Sequence, residues 1–152
     1  MNGVISPPTV YAEWVGLLDM LEQKIDDEDV RKALKQGEIS WQPGVSERFS
    51  KKLIDTVNAR LGAATDKFQM DFSRANGQEG LILQALLCLR TELSFLLDIL
   101  DMPALPQKDR LHYCAHLRKY ADVLQSSLED SARTDRSGKM LVLFRNNKIN
   151  EI

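Results

Sequence analysis

The chain has few of the residues that build disulfides, metal sites or strongly charged surfaces. It contains only two cysteines, Cys88 and Cys114, and two histidines in 152 residues. Both cysteines fall on apolar faces of predicted helices, as is typical of reduced structural thiols rather than of a disulfide framework. A formal net charge of −2 gives no global field that would attract nucleic acid or anionic lipid. The opening MNGVISPPTV lacks the basic and apolar regions of a secretory signal, so we expect a cytoplasmic protein.

Catalytic and cofactor-binding motifs are also missing. His112 and His116 are four residues apart on a predicted helix, a spacing that can place two imidazoles on one metal ion. The chain has no third histidine and its flanking acids do not match helical metal signatures, so we predict an exposed pair without metal. Residues 135–139 end in Gly-Lys, like a phosphate-binding loop, but no predicted strand precedes them. The sequence therefore favours a non-enzymatic protein without a cofactor.

The segment 81–100, LILQALLCLRTELSFLLDIL, carries the strongest structural signal. Fourteen of its twenty positions are apolar, and at 100° per residue the polar ones other than Glu92 form one narrow strip. Its length would allow it to span a bilayer, but Arg90, Glu92 and Asp98 would each carry a large free-energy penalty in lipid. We therefore predict a central helix that is covered by other helices, and no membrane association.

The rest of the sequence predicts an all-α, antiparallel up-down bundle. Apolar residues recur at three- and four-residue steps over about 45–75 and 106–132, and these helices flank the central helix of about 79–101. A shorter helical segment precedes the three long helices. Short connections that contain glycine or proline imply antiparallel neighbours. We expect residues 1–138 to form a single domain.

The segment 139–152 has the least determined structure. Its apolar pentapeptide lies outside the helical pattern, and a strand there would have no partner, so we predict a C-terminal arm that docks on a protein partner or a second copy. The alternative is one more helical turn packed on the bundle. The interaction arm would consist of Met140, Leu141, Val142, Leu143 and Phe144. Basic residues in and before the same segment could instead contact phosphates; they are Arg133, Arg136, Lys139, Arg145 and Lys148.

Glu92 is the one charged residue near the middle of the apolar arc of the central helix. Counting residues from the two neighbouring turns places residues 60–67 on one side of it and 114–118 on the other. A carboxylate in such surroundings must be paired and hydrogen-bonded, or else protonated. We predict a structural buried charge in which Arg60 or Arg118, or a tyrosine hydroxyl, contacts Glu92 and fixes the helix register. A ligand pocket around Glu92 and an oligomer interface are the alternatives.

These observations favour an interaction protein over an enzyme. The leading hypothesis is a cytoplasmic helical adaptor, chaperone or small regulator that self-associates or binds a protein partner. One alternative is a nucleic-acid-associated regulator that uses the basic C-terminal segment. Another is a bundle that binds a small molecule or metal around Glu92.

Overall fold

The computed structural model describes residues 5–152 and shows six α-helices in that range. The first four of the ten residues on which the expectation about a secretory signal rests lie outside it. The helices are α1 (Tyr11–Glu22), α2 (Asp27–Gln36), α3 (Val45–Ala75), α4 (Glu79–Leu100), α5 (Gln107–Ala132) and α6 (Lys139–Asn146). No strand occurs within the described range, and the predicted all-α helical bundle is confirmed. The three long helices begin and end within one residue of their predicted bounds.

The helices α3 and α4 form the most extensive helix pair of the fold. Residues in the left-handed conformation bound α3 at both ends, Gly44 (φ +85°) before it and Asn76 (φ +50°) after it. The tight turn at Asn76 sends α4 back along α3. As a result Arg60, fifteen residues before the end of α3, contacts Glu92, thirteen residues after the start of α4. The two helices therefore run antiparallel.

The central helix α4 supplies much of the core. Its buried residues form a wide face directed at α3 and α5, and each large aliphatic side chain buried there stabilises the fold by about 1.5–3 kcal/mol. They are Ile82, Ala85, Leu86, Leu89, Leu93, Leu96, Leu97, Ile99 and Leu100. Several apolar residues in the first half of α4 stay exposed to solvent. The neighbouring helices therefore leave one side of α4 uncovered.

The short helices α1 and α2 pack on α3 and α4 and meet at a corner, residues 23–27. Trp14 anchors α1: its ring is fully buried edge-on against Phe49, with centroids 5.1 Å apart, and its Nε1 donates to the Glu38 carbonyl at 3.0 Å. Within the corner, Lys24 (φ +58°) and Asp26 (φ +52°) both adopt the left-handed conformation. These two residues reverse the chain direction and bring the start of α2 close to α3 and α4.

The sequence analysis predicts a separate C-terminal arm at 139–152, and that prediction is wrong. The segment packs on the bundle, as its alternative stated. Residues Lys139–Asn146 form α6, which packs on α5 and α4 with Phe144 fully buried. The buried Gln125 of α5 holds the segment, because its amide donates to the Phe144 carbonyl at 3.1 Å and accepts from the Ile149 backbone at 3.1 Å. The domain therefore extends through these residues rather than ending at 138.

The individual positions of the predicted arm explain the error. Met140, Leu141 and Leu143 are partly buried against the core, and Val142 is 57% exposed, as expected for a one-sided helix. The helix begins after Gly138, and Asp135 Oδ2 accepts from the Met140 backbone at 3.1 Å, which satisfies one of the free N–H groups of its first turn. A helix of eight residues is too short to show a clear helical period of apolar residues, so the sequence of this segment does not predict a helix.

Candidate functional site

A groove runs along the outer side of the α3–α4 pair, with a volume of about 670 Å³. One wall is a single face of α3 from Arg60 to Asp71, and the other is the outer side of α4 from Gly80 to Phe95. At 1.5 Å per residue the α4 wall is about 22 Å long, which is roughly four helical turns. The α1–α2 corner closes one end. The α3–α4 groove is therefore long, open along its side, and bounded by rigid helices.

The middle of this groove is apolar. Ala64 and Phe68 contribute from α3, and Leu83, Leu87 and Cys88 contribute from α4. Leu87 is 38% exposed and the Cys88 thiol is free and exposed. The sequence placed Cys88 on an apolar helical face, and that face turns out to be the one that no neighbouring helix covers. An apolar lining between polar ends is the usual composition of a binding groove.

The closed end of the groove is charged and is organised by Arg60. Its guanidinium, only 3% exposed, donates from Nη1 to the Leu21 carbonyl at 3.0 Å and to Asp27 Oδ1 at 2.8 Å. From Nη2 it donates to Asp27 Oδ2 at 3.0 Å and to Glu92 Oε1 at 2.6 Å. It also stacks on Phe95, with 4.9 Å from Cζ to the ring centroid. Arg60 thus joins α1, α2, α3 and α4 at one point.

The pKa of Arg60 follows from these contacts. Burial disfavours the charged guanidinium, but the hydrogen bonds from Arg60 to Asp27 and Glu92 outweigh it and raise the pKa above its ordinary value. The guanidinium therefore stays charged, and its role is to hold two carboxylates in place rather than to exchange a proton.

Glu92 is 11% exposed and its two oxygens are in different situations. Oε1 accepts from Arg60, whereas Oε2 is buried and has no hydrogen-bond donor. The Lys24 ammonium lies 3.1 Å from Oε2 and forms an ion pair with it, but without the geometry of a hydrogen bond. We call Lys24, Asp27, Glu28, Arg60 and Glu92 the charged end of the groove.

Of the two arginines predicted beside Glu92, the structure places Arg60 there and Arg118 elsewhere. Arg118 Nη1 donates to the Ile152 carbonyl at 2.9 Å, so among the partners predicted as alternatives for Glu92 the structure has Arg60 and not Arg118. The helix α5 does contact α3, but its Arg118 is bound to the last residue of the chain instead of Glu92. A tyrosine hydroxyl is not used either: Tyr120 bonds to Thr65 at 3.0 Å.

Sequence reasoning missed Lys24 and Asp27 as partners in this cluster. The acidic run at residues 26–29 is typical of a helix N-terminus, where carboxylates interact favourably with the helix dipole, and Asp27 does begin α2. The left-handed Lys24 and Asp26 carried no sequence signal, because neither residue type is typical of that conformation in the way glycine is.

The remaining candidate residues do not form a site with one another. His112 and His116 are both exposed, with ring centroids 6.3 Å apart, and no cluster of three or more metal-ligating side chains occurs in residues 5–152. Cys114 is half-buried, and burial raises the pKa of its thiol. Two of the five basic residues that could contact phosphates are paired with acids: Arg133 with Asp130, and Arg145 with Glu129 at 2.9 Å.

Comparison of the chain with protein-family models, with curated proteins and with solved structures finds no match to any of them. Among the described helices, α4 alone has the length and mean hydropathy, 1.6, of a helix able to cross a membrane. In the structure it packs between α3 and α5.

Proposed function

We propose that this chain is a non-enzymatic cytoplasmic interaction protein, and that its α3–α4 groove binds an amphipathic helix of a protein partner. The observation that carries the proposal is the apolar middle of the groove. There α4, which is apolar over most of its girth, leaves apolar side chains exposed to solvent. A helix of this composition is normally covered on all sides. A partner helix of about four turns fits the length of the groove and would complete that cover.

The shape of the groove favours a helix from another protein over a second copy. A concave surface needs a convex occupant, and two grooves placed face to face would leave their apolar middles apart. The other large exposed apolar residues include Leu111 on α5 and Val142 on α6, and the pair Tyr120 and Val123, one turn apart on α5. Scattered apolar residues of this kind are ordinary on soluble proteins and present no continuous stripe to a neighbour. Self-association stays a prediction, which light scattering tests.

A photo-cross-linking amino acid at Leu87 provides the test in cells. We expect it to capture a partner through one helical segment, mapped by mass spectrometry, that carries apolar residues at three- and four-residue steps. The same group at Val123, which is 58% exposed on α5 and outside the groove, is the matched control and should not capture that segment.

The captured segment, synthesised as a peptide, then tests the groove directly. Leu87→Glu should weaken its binding to the purified protein by tenfold or more, about 1.4 kcal/mol, because a carboxylate would be buried in the apolar middle. Val123→Glu should leave the affinity unchanged. Equal effects of the two substitutions would contradict the proposal, and a cross-link between two copies would show a homo-oligomer interface instead.

A further inference from the structure

We infer, on the basis of the proposed function, that the helix bound in the α3–α4 groove carries a lysine or arginine that replaces Lys24 beside Glu92. The proposed function requires only an apolar stripe on the partner. The charged end of the groove adds a cation to that stripe and fixes the direction in which the partner helix lies.

The first support is the acceptor itself. Glu92 Oε1 accepts from Arg60 at 2.6 Å, whereas Oε2 is buried and its nearest cation, the Lys24 ammonium at 3.1 Å, does not have hydrogen-bond geometry. A buried carboxylate oxygen without a donor is costly, and a charged donor placed on it gives one of the stronger hydrogen bonds in proteins. A basic side chain that enters from the groove would supply the missing donor.

The second support is the ease with which Lys24 can leave. Its side chain is 47% exposed, and its ion pair with Oε2 lacks hydrogen-bond geometry. Because this ammonium already lies partly in water, it can be fully solvated when it leaves Oε2, and an incoming cation would take over the pairing of the carboxylate. Arg60, in contrast, is 3% exposed and makes four hydrogen bonds, so it stays in place when Lys24 moves.

The third support is charge. The charged end contains three carboxylates and two cations, and its Glu28 is also paired with Arg31. The exposed carboxylates of Asp26 and Asp29, in or beside the same corner, add the remaining negative charge. At the opposite end Asp71 is neutralised by Lys67, one helical turn before it, at 2.5 Å. A basic residue of the partner helix is therefore attracted to the α1–α2 corner and has no net attraction to the other end of the groove. This difference sets the direction in which the partner helix lies.

A display library of helical peptides tests the inference. Each peptide has a fixed apolar stripe of the groove's length and random residues at the turn beyond each end of that stripe. Selection on the wild-type protein should enrich lysine or arginine beyond one end only. Peptides with the stripe but no basic preference would overturn the inference and leave the proposed function standing. Failure to enrich any peptide that loses binding to Leu87→Glu would overturn both.

Affinity measurements on one enriched peptide then examine the replacement of Lys24. Lys24→Met should tighten binding about fivefold, because the incoming cation no longer displaces a like charge from Glu92. Lys52→Met, which removes a lysine paired with Asp19 outside the groove, is the matched control and should change the affinity little. Replacing the basic residue of the peptide by glutamine should abolish the gain from Lys24→Met. Weaker or unchanged binding to Lys24→Met would refute the replacement.

Discussion

Replacing Arg60 by methionine should destabilise the protein by about 3 kcal/mol. The substitution removes the donor of four hydrogen bonds and leaves Glu92, Asp27 and the Leu21 carbonyl without it. Removing one member of a buried ion pair typically costs about 3–5 kcal/mol. We expect the lower end, because Lys24 stays 3.1 Å from Glu92 and the Asp27 side chain, 32% exposed, can turn to water. Methionine keeps most of the apolar contact of the arginine stem.

Urea denaturation followed by far-ultraviolet circular dichroism measures this loss. For a domain of this size 1 kcal/mol corresponds to about 2–4 °C, so the thermal midpoint should fall by about 6–12 °C. Lys52→Met is the matched control. Its ammonium also pairs with a carboxylate, Asp19, at 2.5 Å, but the two side chains are 33% and 50% exposed. The control should change the free energy of unfolding by less than about 1 kcal/mol.

A double-mutant cycle separates the ion pair from the volume of the side chain. Glu92→Leu alone leaves the Arg60 guanidinium without one of its two carboxylates, and combined with Arg60→Met it leaves an apolar pair in the same place. The double variant should therefore lose at least about 1 kcal/mol less than the sum of the two single losses. Additive losses would refute the coupling between Arg60 and Glu92, and with it the reasoning about the charged end.

Three further outcomes follow from the burial of single residues. Phe144→Ala should cost about 3–5 kcal/mol in urea denaturation, because the ring is fully buried; a loss below about 1 kcal/mol would support an arm after all. Replacing His112 and His116 together by glutamine should change the free energy of unfolding by less than about 0.5 kcal/mol, whereas stoichiometric metal lost in that variant would contradict an exposed, unliganded pair. Cys88 should react with a thiol reagent faster than Cys114, whose pKa is raised by burial; a fast phase that persists in Cys88→Ser would contradict this.

The long helices and the position of Glu92 were predictable because they depend on local periodicity. A stripe of apolar residues repeated over many turns fixes both the existence of a helix and its rotation, and the two short turns fix which residues lie side by side. The count from the turn at Asn76 placed residues 60–67 beside Glu92, and Arg60 is there. The same count on the other side failed for Arg118, because distance along the axis says nothing about which side of α4 a neighbour occupies.

The charged end and the last helix were not predictable in the same way. Lys24 and Asp27 reach Glu92 and Arg60 only because the chain reverses through left-handed residues, and that reversal depends on tertiary contacts rather than on residue type. The helix α6 is too short for periodicity and is held by Gln125, nineteen residues away from Phe144 in sequence. Such long-range hydrogen bonds leave no local pattern.

Stability and binding are divided between different residues of the charged end. Arg60 is buried and fixes the α1–α2 corner to α3 and α4, so its loss should appear in unfolding. Lys24 is exposed and touches the same carboxylate, so its loss should appear in binding while the free energy of unfolding changes little. An apolar cluster could replace Arg60, Asp27 and Glu92 with no loss of stability. Under the proposed function the network would also hold the Glu92 carboxylate in a fixed position at the end of the groove, which an apolar cluster could not do.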